Sequence, residues 1–267
     1  MTARKIACAF FSASIACAMV AFAPFAQVHA GAQRTAVAAV PDITGSWERY
    51  RFTFGPWTEE QRRDPNMPPQ APPPPLKPGP LKEWQARVQA AREADAKGQP
   101  LATGYTYCLP DGMPSMMGAM FPLEILQSRG QVTVIEEAFT QVRRILLDQP
   151  QKAVEDVEPG FYGHSVGHWE RDTLVVDTIG VKESVRYQNV SHSKDMHIKE
   201  RMKLVAPDIL WNEITIEDPA ILEKPWTFTN AYKRMPGYTL LEYVCEDNRE
   251  YADEHGLQKI RLDPPGK

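Results

Sequence analysis

Long apolar runs are missing from this sequence after its first thirty residues, so no later stretch reads as a membrane-spanning helix. Cysteine is scarce. Of the four present, Cys8 and Cys17 fall inside the leading apolar stretch, which leaves Cys108 and Cys245. Basic clusters are missing as well, and the formal charge is −4. That balance argues against nucleic acid or an anionic membrane as partner. No glycine-rich phosphate loop or dinucleotide fingerprint occurs, so no nucleotide cofactor is expected. No internal repeat is visible, which excludes a solenoid or propeller array.

What is present begins with a leader. Arg4 and Lys5 precede a largely apolar stretch from Ile6 to Phe25, and Val28-His29-Ala30 gives a small-x-small cleavage site before Gly31. This is the pattern of a secretory signal peptide over residues 1–30. Cleavage there leaves 237 of the 267 residues and, with Arg4 and Lys5 gone, takes the formal charge from −4 to −6. The product is expected to be periplasmic or secreted, with no stable membrane insertion. In an oxidising compartment two remaining cysteines pair with each other, so a Cys108–Cys245 disulfide is expected. A bond closing more than a hundred residues is worth ~4–5 kcal/mol in the chain-entropy model.

Residues 31–41 read as a loose start, and 42–250 as one domain followed by a tail over 251–267. Asp42-Ile43-Thr44-Gly45-Ser46-Trp47 opens the first strand. A Gly-x-Trp there resembles the opening of lipocalins and other calycins, where the Trp plugs the barrel floor. An insertion over 64–100 follows. Nine prolines between Pro65 and Pro80 favour an extended surface spacer. Leu81 to Lys97 then reads as an amphipathic helix ending near Gly98. Met113, Met116, Met117 and Met120 form a cluster, and such side chains either fill a core or line a ligand site.

From Leu123 onward the pattern is strand, short turn, strand, with no helices between. Strands are expected over 124–127, within 131–147, over 161–178, 194–205 and 210–216, and as a last hairpin of 226–233 with 238–245. This is the signature of an antiparallel meander closing into an up-and-down β-barrel, with a sandwich as the alternative. The predicted class is all-β, with the Pro-rich segment and one or two added helices.

The alternation also sorts the polar residues. Met196, Ile198, Met202 and Leu204 share a face with Glu200, while His197, Lys199, Arg201 and Lys203 share the other. A carboxylate on an apolar face needs a partner, either an inward Arg143 or Arg144 or a role in a cavity. Glu242, between Leu240 and Val244, poses the same question. His164 and His168 share one face of the strand that opens the 161–178 hairpin, and Asp177 returns beside them. Four residues along a strand separate the two histidines by about 13 Å, too far to share a metal unless the strand bends. A His–Asp pair orients an imidazole for acid–base work. His192 lies in the Ser191-His192-Ser193 loop close by. Gly163-His164-Ser165-Val166-Gly167 matches Gly-x-Ser-x-Gly, but a nucleophile elbow needs a strand-to-helix turn, and a hairpin follows here.

A family resemblance rests on several stretches together. They are Cys108 to Met117, Pro122 to Gln127, Arg143-Arg144-Ile145, Gly163 to Thr178, His197 to Arg201 and Glu242 to Asn248. They resemble a widespread uncharacterised family of exported bacterial proteins whose hairpin reads Gly-His-Ser-Val-Gly-x-Trp-Glu-Gly-Asp-Thr-Leu-Val-Val-Asp-Thr. This chain carries Arg171 where that pattern has glycine. The likeness covers roughly residues 42–248. It implies a β-rich, calycin-like fold and export, and it brings no reaction with it.

Two functions follow as expectations. One is a cofactor-independent, metal-independent lyase, isomerase or hydratase acting on a small aromatic or apolar molecule in a barrel cavity. Its acid–base and anion-stabilising groups would be His164, Arg144, Asp177, Glu200, His197 and His192, with Met116, Met117, His168, Tyr162 and Glu242 against the substrate. The other is a lipocalin-like carrier of a hydrophobic ligand, with Glu200 in a structural ion pair. The two differ in whether those polar groups converge on one water-filled pocket.

Overall fold

Nine strands close on themselves in sequence order. They are β1 (Gly45–Arg49), β2 (Leu123–Ser128), β3 (Gln131–Glu136), β4 (Gln141–Leu147), β5 (His164–Glu170), β6 (Thr173–Ile179), β7 (His197–Ala206), β8 (Ile209–Glu217) and β9 (Trp226–Arg234). The computed structural model describes residues 40–52, 55–118, 120–245 and 250–260, all within one unit over 38–267. The leader and the start of the loose segment after it lie outside the described residues. The expected all-β barrel with added helices is what the chain forms.

An odd number of strands cannot close with every neighbour antiparallel, because directions would clash at the seam. Here β4 and β5 run parallel, with Ile145 opposite Ser165, and the other eight pairings are antiparallel. The 148–163 connection therefore travels the height of the wall instead of turning back. Short turns at 129–130, 171–172 and 207–208 gather at one end of the barrel. The longer connections 50–122, 180–196 and 218–225 gather at the other, beside the tight 137–140 corner. Loops held by a rigid scaffold are where sites form, so the mouth is the end to search.

Period-two alternation fills the interior. Ile125, Val132, Val134, Ile145, Leu174, Val176, Ile198, Met202, Leu210, Ile214 and Tyr232 are all buried. Trp47 is fully buried, and the Arg234 guanidinium lies 4.3 Å over its ring. Gly45 fits this corner because its φ is +127° and a Cβ would stand 3.2 Å from Arg234 Nη1.

Two helices decorate the mouth. The short α1 (Glu59–Arg63) is closed by a capping box between Thr58 and Gln61. α2 (Pro78–Ala96) starts three residues before the expected Leu81, because prolines in a first helical turn lose no hydrogen bond. None of its residues is buried, but Leu81 and Trp84 pack on the core and Trp84 Nε1 donates to Gln188 O. The proline segment is strapped to the barrel through its carbonyls, which accept where its nitrogens cannot donate. Trp226 Nε1 donates to Pro72 O at 3.0 Å, and Leu76 bridges to Leu222.

The expected hairpin partner over 238–245 is not a strand. β9 already pairs with β8 and β1, so no barrel edge is left for it. Instead residues 238–245 run irregularly past Glu137, whose carboxylate accepts from Tyr238 Oη at 2.7 Å and from Leu241 N at 2.8 Å. The segment ends in the disulfide between Cys108 and Cys245. Part of the expected tail is ordered as a small hairpin of β10 (Glu250–Ala252) and β11 (Gln258–Ile260), tied to the insertion by Gln258 N donating to Pro100 O.

Candidate functional site

The candidate acid–base residues do not converge on one site. Register places Gln141, Arg143 and Ile145 on the inner face of β4, so Arg143 is buried and Arg144 is exposed on the outer wall. Glu200 is fully buried and pairs with Arg143. Arg143 Nη1 donates to Glu200 Oε1 at 3.1 Å, and Nη2 donates to Oε2 and to Thr178 Oγ1. Arg143 Nε donates to Ser165 Oγ at 3.2 Å, and Asn212 Nδ2 donates to Glu200 Oε1 at 2.8 Å. This belt joins five adjacent strands across the interior. It occupies the space where a barrel cavity was expected, and it accounts for the serine of the Gly-x-Ser-x-Gly match as a network member.

The histidines point elsewhere. Because Ser165 faces inward, His164 and His168 lie on the outer face of β5. His164 Nδ1 stands 2.9 Å from Gln151 Oε1, and burial followed by the charge of Lys152 holds its pKa below the ordinary imidazole value. His168 is exposed beside Glu170. Asp177 meets His197 and not His164: His197 Nδ1 is 3.4 Å from Asp177 Oδ1 on the outer wall. Lys199–Glu217, Arg201–Glu170 and Lys203–Asp172 pairs complete that charged surface. Exposed pairs of this kind add little stability.

Met116 and Met117 are buried core plugs. Asn230 Nδ2 donates to Met117 O, as does Tyr232 Oη, which fixes the plug in the mouth. His192 sits at the mouth with both ring nitrogens 2.9 Å from carbonyl oxygens, those of Ser193 and Lys182. Beside it Met113, Tyr187, Met196 and Trp226 enclose only about 20 Å³, room for a single water. Glu242 is exposed on irregular chain.

A larger concavity opens beside the disulfide. It holds about 320 Å³ between Pro110, Phe139, Tyr162, Tyr243 and the Cys108–Cys245 bond. Tyr162 is the one proposed ligand contact placed in its wall. Phe139 lies tilted against Tyr105 at 5.1 Å and against Tyr243 at 4.9 Å, and Tyr243 meets Phe121 edge-on at 6.3 Å. Tyr105, Tyr107, Leu109, Met120, Phe121, Leu241 and Val244, all from segments at this end, are exposed. An accumulation of exposed apolar groups marks an interaction surface. Phe139 and Thr140 are both left-handed, with φ of 57° and 47°. Non-glycine residues held there cost on the order of 1–3 kcal/mol each, and such strain collects at functional sites.

Pro110 lines one wall, and two residues on, Gly112 comes close to β5's lead-in. A Cβ at Gly112 would stand 2.6 Å from Phe161 O, which leaves glycine as the fit at φ +69°. Behind the rings lies Glu136, fully buried on the inner face of β3. Gln141 Nε2 donates to Glu136 Oε2 at 2.7 Å and to Asp111 Oδ2 at 3.2 Å, while Glu136 Oε1 has no partner among the described residues. Burial first, then the nearby Asp111, pushes the Glu136 carboxyl up to about 9, so it carries a proton at neutral pH. Burial, then Glu136 and Asp111, pushes the Tyr162 phenol up to about 12. Tyr105 and Tyr243 are raised by burial and by neighbouring acids, among them Asp111.

A buried carboxyl that keeps its proton beside a second carboxyl, near an aromatic wall, is an arrangement suited to proton transfer. Sequence reasoning passed over Glu136 and Asp111. The signal for Glu136 was available, since Val132-Val134-Glu136 repeats the inward alternation that exposed Glu200. No family model and no curated protein matches the chain.

Proposed function

We propose that this is an exported small-molecule-binding protein, and that the cleft beside the disulfide takes a small aromatic or apolar molecule. The carrying observation is the cleft itself. Phe139, Tyr162 and Tyr243 wall a space in the size range of ligand sites, with a protonated carboxyl behind it. Export is supported by the leader pattern and by a disulfide, which persists in oxidising compartments. The resemblance to exported bacterial proteins supports it too.

A second reading is favoured by Glu136. A neutral acid beside Asp111 is equipped to pass a proton to a molecule lodged in the cleft, which is the lyase, isomerase or hydratase chemistry expected from the sequence. One experiment separates the two. The protein is purified natively from its own envelope, the bound small molecules are extracted and identified by mass spectrometry, and each is returned to fresh protein. Release of the molecule unchanged supports a carrier, and conversion that stops in Glu136→Gln supports an enzyme. Absence of any bound small molecule, with no binding by added aromatic compounds, would sink both.

A further inference from the structure

The ligand class of the cleft can be narrowed by its charge. We infer that the cleft selects an organic cation, an aromatic amine or quaternary ammonium compound, which its rings enclose and Asp111 balances. This inference rests on the cleft being the ligand site.

Three observations carry it. The walls are aromatic: Phe139, Tyr162 and Tyr243 line the space, and Tyr105 lies tilted against Phe139 at 5.1 Å. Ring faces are electron-rich and attract ammonium groups, more strongly when water is excluded. Second, the charges that act on the phenols of Tyr105, Tyr162 and Tyr243 belong to Asp111, Glu136 and Glu250, all acids. Among the described residues, no ammonium or guanidinium side chain lines the cleft. Third, Glu136 Oε1 is a buried oxygen with no hydrogen-bond partner among the described residues, and its neighbour across Gln141 is the Asp111 carboxylate. Two acids are thus held together with only an amide between them. Glu136 keeps its own proton, so a bound cation answers the Asp111 carboxylate, whereas a bound anion would be repelled by it. A neutral aromatic molecule satisfies the rings but leaves the Asp111 carboxylate without a counter-charge.

The test compares two molecules of nearly the same shape, (4-hydroxyphenyl)trimethylammonium and its carbon isostere 4-tert-butylphenol. Binding to the full folded protein is measured at pH 6 and low salt by protein-observed NMR. The expected result is that the cation binds at least tenfold more tightly, and that the preference shrinks toward unity in Asp111→Asn, whose fold is checked by thermal melting. Equal or tighter binding of 4-tert-butylphenol overturns the cation inference and leaves the cleft as an apolar site. Failure of both molecules to bind at millimolar concentration overturns the cleft reading together with this one. The wild-type comparison decides the matter even if Asp111→Asn does not fold.

Discussion

Glu136 and Asp111 accept from the same nitrogen, Gln141 Nε2, at 2.7 Å and 3.2 Å. One carboxyl is fully buried on the inner face of a barrel strand, and the other stands partly exposed on an arm pinned by Gly112. The shared amide holds them together, and burial keeps a proton on Glu136.

That proton has a measurable consequence. With the folded value near 9 and the ordinary value at 4.5, the unfolded chain loses a proton that the folded chain retains across that window. Stability therefore falls as pH rises from about 5 to 9, by up to about 1.4 kcal/mol per pH unit from this group. His164 has the opposite sign: its lowered value removes stability as pH drops below about 6.5, so the range 7.5–9 isolates Glu136. Urea melts across that range should show wild-type stability falling with pH and Glu136→Gln nearly flat. Parallel slopes would mean that Glu136 is not protonated.

The Arg143–Glu200 belt is expected to behave as a unit. Removing one partner, as in Arg143→Met or Glu200→Leu, leaves a buried charge unpaired and should cost about 3–5 kcal/mol. The double variant should lose clearly less than the sum of the two single losses. Denaturation of all four proteins checks this. Additive losses would show that the two side chains do not depend on each other.

How much of this was legible in the sequence depended on whether the signal was local. Alternation gave the strands, the inward Glu200 and the outward His197–Lys199–Arg201–Lys203 face, because one buried carboxylate among Met196, Ile198 and Met202 fixes the parity of β7. In β4 the two adjacent arginines offered no such anchor, so Arg144 stood as well as Arg143 until Gln141 and Ile145 were seen facing inward. The parity of β5 misled in the same way: Ser165 takes the inner face because Arg143 and Thr178 await it there, and His164 is turned outward. The cleft was beyond local reading altogether. It is assembled from the 108–112 arm, the 137–140 corner, Tyr162 and the 243–245 segment, which only barrel closure and the disulfide bring together.

Arg171 offers a check on the turn chemistry. It occupies the tight turn between β5 and β6 with φ of 57°, a left-handed conformation that disfavours a side chain. Arg171→Gly is expected to stabilise the protein by about 0.5–1 kcal/mol, read as a higher melting temperature. A lower melting temperature would show that the arginine side chain contributes more than the backbone strain costs.

The central claim is that the aromatic cleft beside the disulfide binds small molecules. It is tested most directly by following the ring resonances of Phe139, Tyr162 and Tyr243 by NMR while phenol, indole and phenyl-ammonium compounds are titrated in. The account predicts saturable shifts confined to those rings, lost in Phe139→Ala. Shifts centred on Met196 and Trp226 at the other mouth cavity, or none at any ring of the cleft, would contradict it.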